Sequence, residues 1–585
     1  ALGYKAYQSS TASAVTGNLN TSTTVSGVSD VSELAAGQSI TGTGIDYGTY
    51  IASVDSSTQI TLSQAATTTQ NGVSLTAYKG TGDSNTCIGY TAGEDLTTGA
   101  ENVCIGRDAG KNFTNNNYNV AIGAYAMDAA NVGEGANVAI GRNALSTETS
   151  GADYCVAVGT DALKSQNANV KNTAIGGLAG DAIVGGTENT ILGYLAGSAV
   201  SSGNSNTAIG HTAYMAGTGT ANTVIGGDAC RAAMTGNDNT VVGHSAGTAL
   251  TDGPGNVLIG KSAGAAMTIG DYNVAIGFQA ADAMVGDSDN NIAIGADALG
   301  SEASGADSCI AIGRDALKLQ NDGSAVNLAI GKAAGDAITS GKHHVLIGHQ
   351  AGSALGSNDS CTALGYLALV AATGNSNTAI GANAMTGACS GSGNVAVGAS
   401  ALGSAANTES HNIAIGNAPL YHLNHNDGDK NIGIGGDAGR YYETTATATP
   451  GSASPDGNNT AGSDSIFIGY DTRSAESDRS NEIVIGHTAV SNGSNTITLG
   501  NDDTAAIHCN DTSISALSDR RIKRDITDNN VGLDFVEKLA TVNYKRLNPA
   551  DWPAEIRSHR YRVEEHQELV TPAVEAADAV YEDVV

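Results

Sequence analysis

A short phrase, with one polar residue followed by mostly apolar ones, recurs through most of the chain. Each copy reads Asn, then Thr or Val, then Ala, Ile and Gly, as in residues 119–123 and 206–210. Between Gly89 and Gly500 nearly every step from one such glycine to the next is 16 to 19 residues, and one step of 34 equals two periods. Because a period this short cannot hold a helical hairpin, each period is predicted to form one coil of a parallel β-solenoid.

The three residues before each glycine predict a short strand that is apolar on both faces, since successive strand residues point in opposite directions. One face can fill the interior of the coil. The other face needs a second apolar surface, and we expect the small Ala to lie there and to let a neighbouring chain approach closely. The pattern therefore predicts an oligomer of identical chains packed along their lengths.

The glycine and the asparagine of each phrase have separate expected roles. The glycine is expected at a corner of the coil, where a Cβ would obstruct the backbone. The asparagines can stack their side-chain amides as a ladder from coil to coil, or they can cap the turn before the strand.

The sequence also contains a longer repeat that spans several of the short ones. Residues 152–164 return, with few changes, as residues 306–318. Duplication of a whole block of coils suits a spacer better than an enzyme built around one pocket.

The recurring phrase resembles the head repeats of trimeric autotransporter adhesins, which form a left-handed parallel β-roll wound as a trimer. The resemblance extends over residues 85–500. It implies a β-roll fold and a homotrimer for this chain.

Composition and charge narrow the possible functions. The 585 residues include 77 glycines and only 4% aromatic residues, which suits thin coils better than a thick globular core. The formal charge is −31, with 58 acidic against 27 basic residues, so nucleic-acid binding is not expected. No apolar run approaches the roughly 18 residues that cross a membrane, and we expect no membrane insertion.

The ends of the sequence and its cysteines add two expectations. No signal peptide begins at Ala1, and Leu2-Gly3-Tyr4 matches the second half of the phrase, so we expect the chain to be part of a longer protein. Among the eight cysteines, Cys87 and Cys104 take the same column in consecutive coils, and three more replace the ladder asparagine (Cys155, Cys309 and Cys361). A stacked pair could be a disulfide or a soft metal site, but we interpret these residues as thiols acting as small apolar side chains.

We divide the chain into a partial β-roll coil (1–16), a small all-β insert (17–80), a β-roll rod (81–500), a connector (501–517) and a C-terminal domain (518–585). The insert contains short strand-like segments separated by Gly, Asp and Ser turns. It resembles small β-modules of phage tail and other virion structural proteins. Either receptor contact or a spacer role fits it.

Within the rod, residues 417–464 are predicted to form an irregular surface loop, since this stretch is rich in Thr, Pro, Ser and Gly. His411, His422 and His425 lie in or near it, but their spacing matches no metal-ligand pattern. We therefore expect neither a metal nor a cofactor.

The C-terminal segment differs in character from the coils. It contains residues 518–523 (Ser-Asp-Arg-Arg-Ile-Lys), 532–535 (Gly-Leu-Asp-Phe) and 544–545 (Tyr-Lys). These features resemble the intramolecular chaperone domain of endosialidase-type tailspikes and related phage fibres, the peptidase S74 family. The resemblance implies an α+β domain that trimerises, helps the β-rod ahead of it to fold and then cuts itself off. The Gly-x-x-Ala-Gln-Glu phrase and the long terminal helix of that family are missing from 551–585, so we expect either a domain that is cut before them, and therefore incomplete, or a degenerate one.

Carried onto this sequence, the resemblance implies that Ser518 is the nucleophile and Lys523 its general base, with cleavage between Leu517 and Ser518. A lysine can activate a serine only if burial or neighbouring charge lowers its pKa towards neutrality. Three arginines close in sequence could contribute that charge. The alternative is that Ser518 caps a turn and Lys523 is a solvated base.

These features together predict a structural and adhesive virion fibre, either a tail fibre or a tailspike-like appendage. The expected location is the virion, after assembly in the host cytoplasm. The expected partners are two further copies of the chain, virion tail or baseplate proteins, and a host-cell receptor that is a glycan or a surface protein. A bacterial trimeric surface adhesin is the first alternative. A glycan-degrading tailspike is the second, although the scattered Asp and Glu residues single out no catalytic pair, and no activity on an external substrate is expected.

Overall fold

The structure is a computed structural model in which the chain divides into two units, residues 1–505 and 506–585. It describes residues 11–508, apart from gaps at 33, 35, 37, 47–48, 80–83, 131–134, 149–152, 168–169, 302–306, 405–407, 424–427, 441–461, 477–478 and 507. The predicted C-terminal domain, with Ser518 and Lys523, lies outside the described residues.

The first six strands form one antiparallel sheet, in the order β3-β6-β1-β2-β5-β4. Its strands are β1 (Thr11–Asn20), β2 (Thr24–Ser26), β3 (Ser39–Gly42), β4 (Ile51–Ser56), β5 (Gln59–Leu62) and β6 (Thr69–Lys79). Alternate apolar side chains fill a small core of their own: Leu19, Val25, Ile40, Ile51, Ile60, Leu62 and Leu75 are all buried. The small all-β module expected from the sequence is therefore present.

The edge of this sheet differs from the expected domain boundary. Strand β1 pairs with β6 from Thr11 opposite Lys79 onwards. Val15 and Leu19, both on β1, lie in the core of the sheet. Residues 11–16 thus belong to the antiparallel sheet, although the sequence analysis assigned them to a partial coil. Pairing with β6 decides where these residues lie, and the coil phrase that precedes them in the sequence does not.

The recurring phrase forms a stack of 24 parallel strands, each three residues long. In chain order these are β7 (Thr86–Ile88), β8 (Val103–Ile105), β9 (Val120–Ile122), β10 (Val138–Ile140), β11 (Val156–Val158), β12 (Thr173–Ile175), β13 (Thr190–Leu192), β14 (Thr207–Ile209), β16 (Thr223–Ile225), β18 (Thr240–Val242), β19 (Val257–Ile259), β20 (Val274–Ile276), β21 (Ile292–Ile294), β22 (Ile310–Ile312), β23 (Leu328–Ile330), β24 (Val345–Ile347), β25 (Thr362–Leu364), β26 (Thr378–Ile380), β27 (Val395–Val397), β28 (Ile413–Ile415), β29 (Ile432–Ile434), β30 (Ile466–Ile468), β31 (Ile483–Ile485) and β32 (Ile497–Leu499). Two shorter strands, β15 (Ala216–Gly217) and β17 (Ala233–Met234), pair with each other beside the stack. The described residues contain no α-helix.

Successive strands pair in register, so equivalent residues of neighbouring coils form columns. For example, Val257, Leu258 and Ile259 lie opposite Val274, Ala275 and Ile276. This is the parallel β-solenoid that the spacing of the glycines predicts, with one strand per period.

The glycine that ends each strand occupies a sharp corner, as the sequence predicts. Gly260 has a φ of 140°, and a Cβ at this position would collide with the carbonyl oxygen of Gly277 in the next coil. The same contact recurs from Gly89 to Gly469 along the column. Only glycine allows successive coils to approach this closely without strain.

The interior of the solenoid is narrow and is lined by small residues. The middle residue of each stacked strand from β7 to β31 is buried, and it is most often Ala, as at Ala121 and Ala275. The Ala three residues after the corner is also buried, as at Ala109 and Ala126. The expectation that the strand Ala faces a second chain is wrong, because the narrow interior is what requires a small side chain.

The asparagines form a buried ladder. The backbone N–H of Asn273 donates to Oδ1 of Asn256 at 2.8 Å, and the N–H of Asn256 donates to Oδ1 of Asn239 at 2.9 Å. Nδ2 of Asn256 donates in turn to the carbonyl of Gly270 at 2.8 Å. Each amide thus satisfies backbone groups that the coil would otherwise bury unpaired, and the expected amide ladder is confirmed.

A second polar ladder, which the sequence analysis did not anticipate, runs two residues before the asparagines. Oδ1 of Asn117 accepts the backbone N–H of Ala100 at 2.8 Å, and Oδ1 of Asp289 accepts that of Asp271 at 2.7 Å. Oδ1 of Asp307 repeats the contact with the N–H of Asp289 at 2.9 Å. The abundance of Asn, Asp and Ser in these turns could have indicated this column.

His344 replaces asparagine in one coil and reproduces its contacts. Its Nε2 lies 2.7 Å from the carbonyl oxygen of Asn358, and the backbone N–H of Cys361 donates to its Nδ1 at 3.2 Å. Accepting that N–H requires a neutral ring with its proton on Nε2. Burial lowers the pKa of His344 below its ordinary value of 6.5, which favours the neutral form.

The irregular loop is smaller than the sequence predicted. Strand β29 lies inside the range 417–464, with Gly433 in the place of the usual Ala. It pairs directly with β30, so the 34-residue step from Gly435 to Gly469 adds no coil between these two strands. The outward residues Ile432 and Ile434 match those of the other stacked strands, which explains why this stretch remains a strand.

We expect the substitution Gly260→Ala to lower the free energy of unfolding by roughly 3 kcal/mol, the upper part of the range for a strained backbone position. The added Cβ must displace the backbone of the next coil. The matched control is Gly185→Ala, since a Cβ at Gly185 meets nothing within 4 Å. Chemical denaturation followed by circular dichroism measures both, and equal effects of the two substitutions would contradict the role given to the corner glycine.

We expect the coils around His344 to lose stability as the pH falls below about 6.5. Below that pH the unfolded chain binds a proton that the folded chain, with its lowered pKa, does not bind. The stability that the neutral imidazole contributes to the folded chain is therefore fully present only above that pH. His344→Asn should remove this loss. Hydrogen exchange of residues 345–365 at neutral and acidic pH measures it, and an unchanged pH dependence in the variant would show that the imidazole is not responsible.

Candidate assembly interface

The face of the parallel sheet that points away from the coil interior is the candidate functional surface, called here the outward strip. It consists of the first and third residues of every stacked strand, because these alternate with the buried middle residue. The third residue is always Ile, Val or Leu, and the first is Thr, Val, Ile or Leu. In the single chain these side chains are half-buried by their neighbours along the column or are exposed, as with Leu364 at 43% and Ile497 at 66%.

The outward strip is uniformly uncharged. None of the stacked strands carries Asp, Glu, Lys or Arg, although the chain has a formal charge of −31. With strands about 10 Å long and about 4.8 Å apart, the 24 strands form a face on the order of 1,000 Å². Monomeric soluble proteins rarely expose a contiguous apolar patch above a few hundred Å². An area near 800 Å² per partner is typical of a stable interface.

Aromatic and basic side chains border the strip. The residues directly after the corner glycines stack from coil to coil, with ring centroids 5.8 Å apart for Tyr194 and His211 and 5.4 Å apart for His349 and Tyr366. At the other end of the strands, the residues before the ladder column include Tyr154, Tyr118 and Tyr272, which are more than half exposed. Such amphipathic rings are enriched at protein interfaces, where one end is buried and the other remains wet.

The turns beside this border carry the nearest carboxylates. The hydroxyl of Thr212 donates to Oδ1 of Asp228 at 2.7 Å, and this hydrogen bond lowers the pKa of that carboxyl. His244 lies on the same side, with Nε2 3.9 Å from Oδ2 of Asp228. Charge is therefore present next to the strip but outside it.

The residues singled out from the sequence are distributed as follows. The seven described cysteines are buried and none of them forms a disulfide. Within the described part of the chain, no group of three or more His, Cys, Asp or Glu side chains could hold a metal, and no helix is long and apolar enough to span a bilayer. His425 lies outside the described residues, as do Ser518 and Lys523, so the predicted cleavage site is not described.

Comparison with known proteins does not identify a relative. No family model matches the sequence, and neither a curated protein nor a solved structure resembles it significantly.

Proposed function

We propose that this chain is a structural and adhesive fibre protein of a virion, assembled as a homotrimer, and that it mediates host attachment. The observation that carries the proposal is the outward strip, an uncharged face of 24 strands that a single chain leaves exposed. A second and a third copy of the same chain present the same face, so a closed symmetric assembly can cover all three.

The chemistry of the strip favours copies of the chain over an unrelated partner. Every strand presents two outward residues that are β-branched or aliphatic, and neighbouring strands hold them at the same spacing. An identical chain matches this spacing along its entire length. The acidic residues lie outside the stacked strands, where they keep such a fibre soluble.

The C-terminal sequence supports the same function independently of the outward strip. Near-identical coils can pair in many registers, and parallel pairing over long sequence separations is slow. A terminal domain that trimerises first would align the three chains in one register before their coils associate. The Ser-Asp-x-Arg-x-Lys opening at residues 518–523 is the motif that suggests such a domain, with Ser518 and Lys523 as the pair that later releases it.

We expect Ile276→Glu to convert the trimer to single chains. The substitution places a carboxylate in the middle of the outward strip without touching the coil interior. Burying an unpaired charge costs about 3 kcal/mol or more, which weakens association roughly 100-fold. Native mass spectrometry measures the assembly, and circular dichroism checks that the β-structure is retained.

The control for this experiment is Ser201→Glu, which adds the same charge at an exposed turn. It should leave the trimer intact. A wild-type protein that runs as a single chain, or an Ile276→Glu variant that assembles as well as the control, would contradict the proposed interface.

We expect the full-length protein to be cut between Leu517 and Ser518, and we expect Ser518→Ala and Lys523→Ala each to abolish the cut. The nucleophile and its base are both required for the reaction. Ser515→Ala is the matched control and should be cut normally. Denaturing mass spectrometry gives the fragment masses, and a single uncut product from the wild type would overturn the assignment of the two residues.

A further inference from the structure

Two neighbouring coils carry polar residues in a column of the interior that is apolar in several other coils. Cys155 takes the place of the ladder asparagine, and Glu148 and Gln166 lie seven residues after the corners Gly141 and Gly159. All three side chains are fully buried. In several other coils the column of Glu148 and Gln166 holds large apolar residues, namely Leu96, Phe113, Ile183, Leu250, Met267, Ile338 and Leu355.

The duplicated block carries the same three residues at the same spacing. Glu302, Cys309 and Gln320 correspond to Glu148, Cys155 and Gln166, each 154 residues later. Cys309 and Gln320 are buried, while Glu302 lies outside the described residues. Neighbouring positions changed between the copies, for example Tyr154 to Ser308. The group of Glu, Cys and Gln was therefore retained as a set.

The thiol and the carboxamide are in direct contact. Nε2 of Gln166 lies 3.0 Å from Sγ of Cys155, and Nδ2 of Asn172 donates to Oε1 of Gln166 at 3.0 Å. Burial raises the pKa of the Cys155 thiol, and the negative charge of Glu148 raises it further, against hydrogen bonds from Asn172 and Gln166 that lower it. In the second copy, Nδ2 of Asn327 donates to Oε1 of Gln320 at 2.7 Å.

A cysteine in the asparagine column does not by itself require these companions. Cys361 occupies the same column, and the positions equivalent to Glu148 and Gln166 are there Leu355 and Ala372. All three of these residues are buried in a well-formed coil. A structural substitution for asparagine therefore explains Cys361, but it does not explain why the coils around Cys155 also bury the carboxyl group of Glu148 and the carboxamide of Gln166.

We propose that Cys155 and Gln166, and likewise Cys309 and Gln320, form internal thioesters. The Sγ of the cysteine attacks Cδ of the glutamine, the S–C bond forms and the C–N bond breaks. The proton of the thiol is transferred to the leaving nitrogen, so that one ammonia is released and no oxidant is needed. The amide of Asn172 is placed to stabilise the oxyanion on the former Oε1.

The position of the cross-link protects it. The reacting groups are fully buried in the narrow interior, where water cannot reach the thioester to hydrolyse it. Each bond would join the ladder column of a coil to the opposite side of the same coil. This inference goes beyond the proposed fibre function and does not depend on it.

Mass spectrometry of the wild-type protein tests the proposal. The intact mass should fall short of the sequence by two molecules of ammonia. Lys164 lies between Cys155 and Gln166, and Arg314 and Lys318 lie between the second pair, so trypsin should yield two pairs of linked peptides. After denaturation and alkylation, Cys361 should be labelled while Cys155 and Cys309 are not.

Cys155→Asn provides a variant that restores the ladder residue found in most coils. It should fold, and its deficit should fall from two ammonia to one, while the Cys309 cross-link persists. An intact mass that equals the sequence, with Cys155 and Cys309 alkylated as fully as Cys361, would overturn the proposal.

Discussion

From Gly106 to Gly486, the carbonyl oxygen of each corner glycine lies within 2.6 Å of the point that a Cβ on the corner glycine of the preceding coil would occupy. No side chain fits between them, so the distance between coils is set by backbone contact alone. Because this contact repeats at each period, the strands pair in register and every other position is forced into a column. Loop lengths can vary between corners without disturbing the stack, which is why the period ranges over several residues.

Because equivalent residues form columns, the property of one residue recurs along the whole stack. One asparagine in a coil would satisfy one turn, but a column of them passes hydrogen bonds from coil to coil. One exposed isoleucine would be unremarkable on a protein surface, but a column of them makes a continuous apolar face. The same logic makes exceptions informative. His344 brings a titratable group into the ladder, and Glu148 and Gln166 bring polar side chains into a column that is apolar in several other coils.

Much of the fold was predictable because its determinants are local. The spacing of Gly89, Gly106 and their successors fixes the coil, and the asparagine before each strand predicts the ladder. The direction of the strand alanine was not predictable in the same way. Alternation divides a three-residue strand into two faces, but it does not say which face is inside when both are apolar. The narrow interior decides this, and its width depends on the whole coil.

The remaining misses have similar causes. The start of β1 at Thr11 depends on pairing with β6, which is distant in sequence. The ladder role of His344 becomes visible only through the N–H of Cys361 in the next coil. The contact between Cys155 and Gln166 joins two columns whose relative placement follows from the shape of the turn. In each case the deciding partner lies outside the local pattern.

A cryo-EM reconstruction of the purified full-length protein tests the central claim most directly. The account predicts three chains around one axis, with strands about 4.8 Å apart in each. The Ile and Val columns of the outward strip should face the neighbouring chains. Single chains with the outward strip in contact with solvent, or an assembly that buries a different side of the coils, would contradict it.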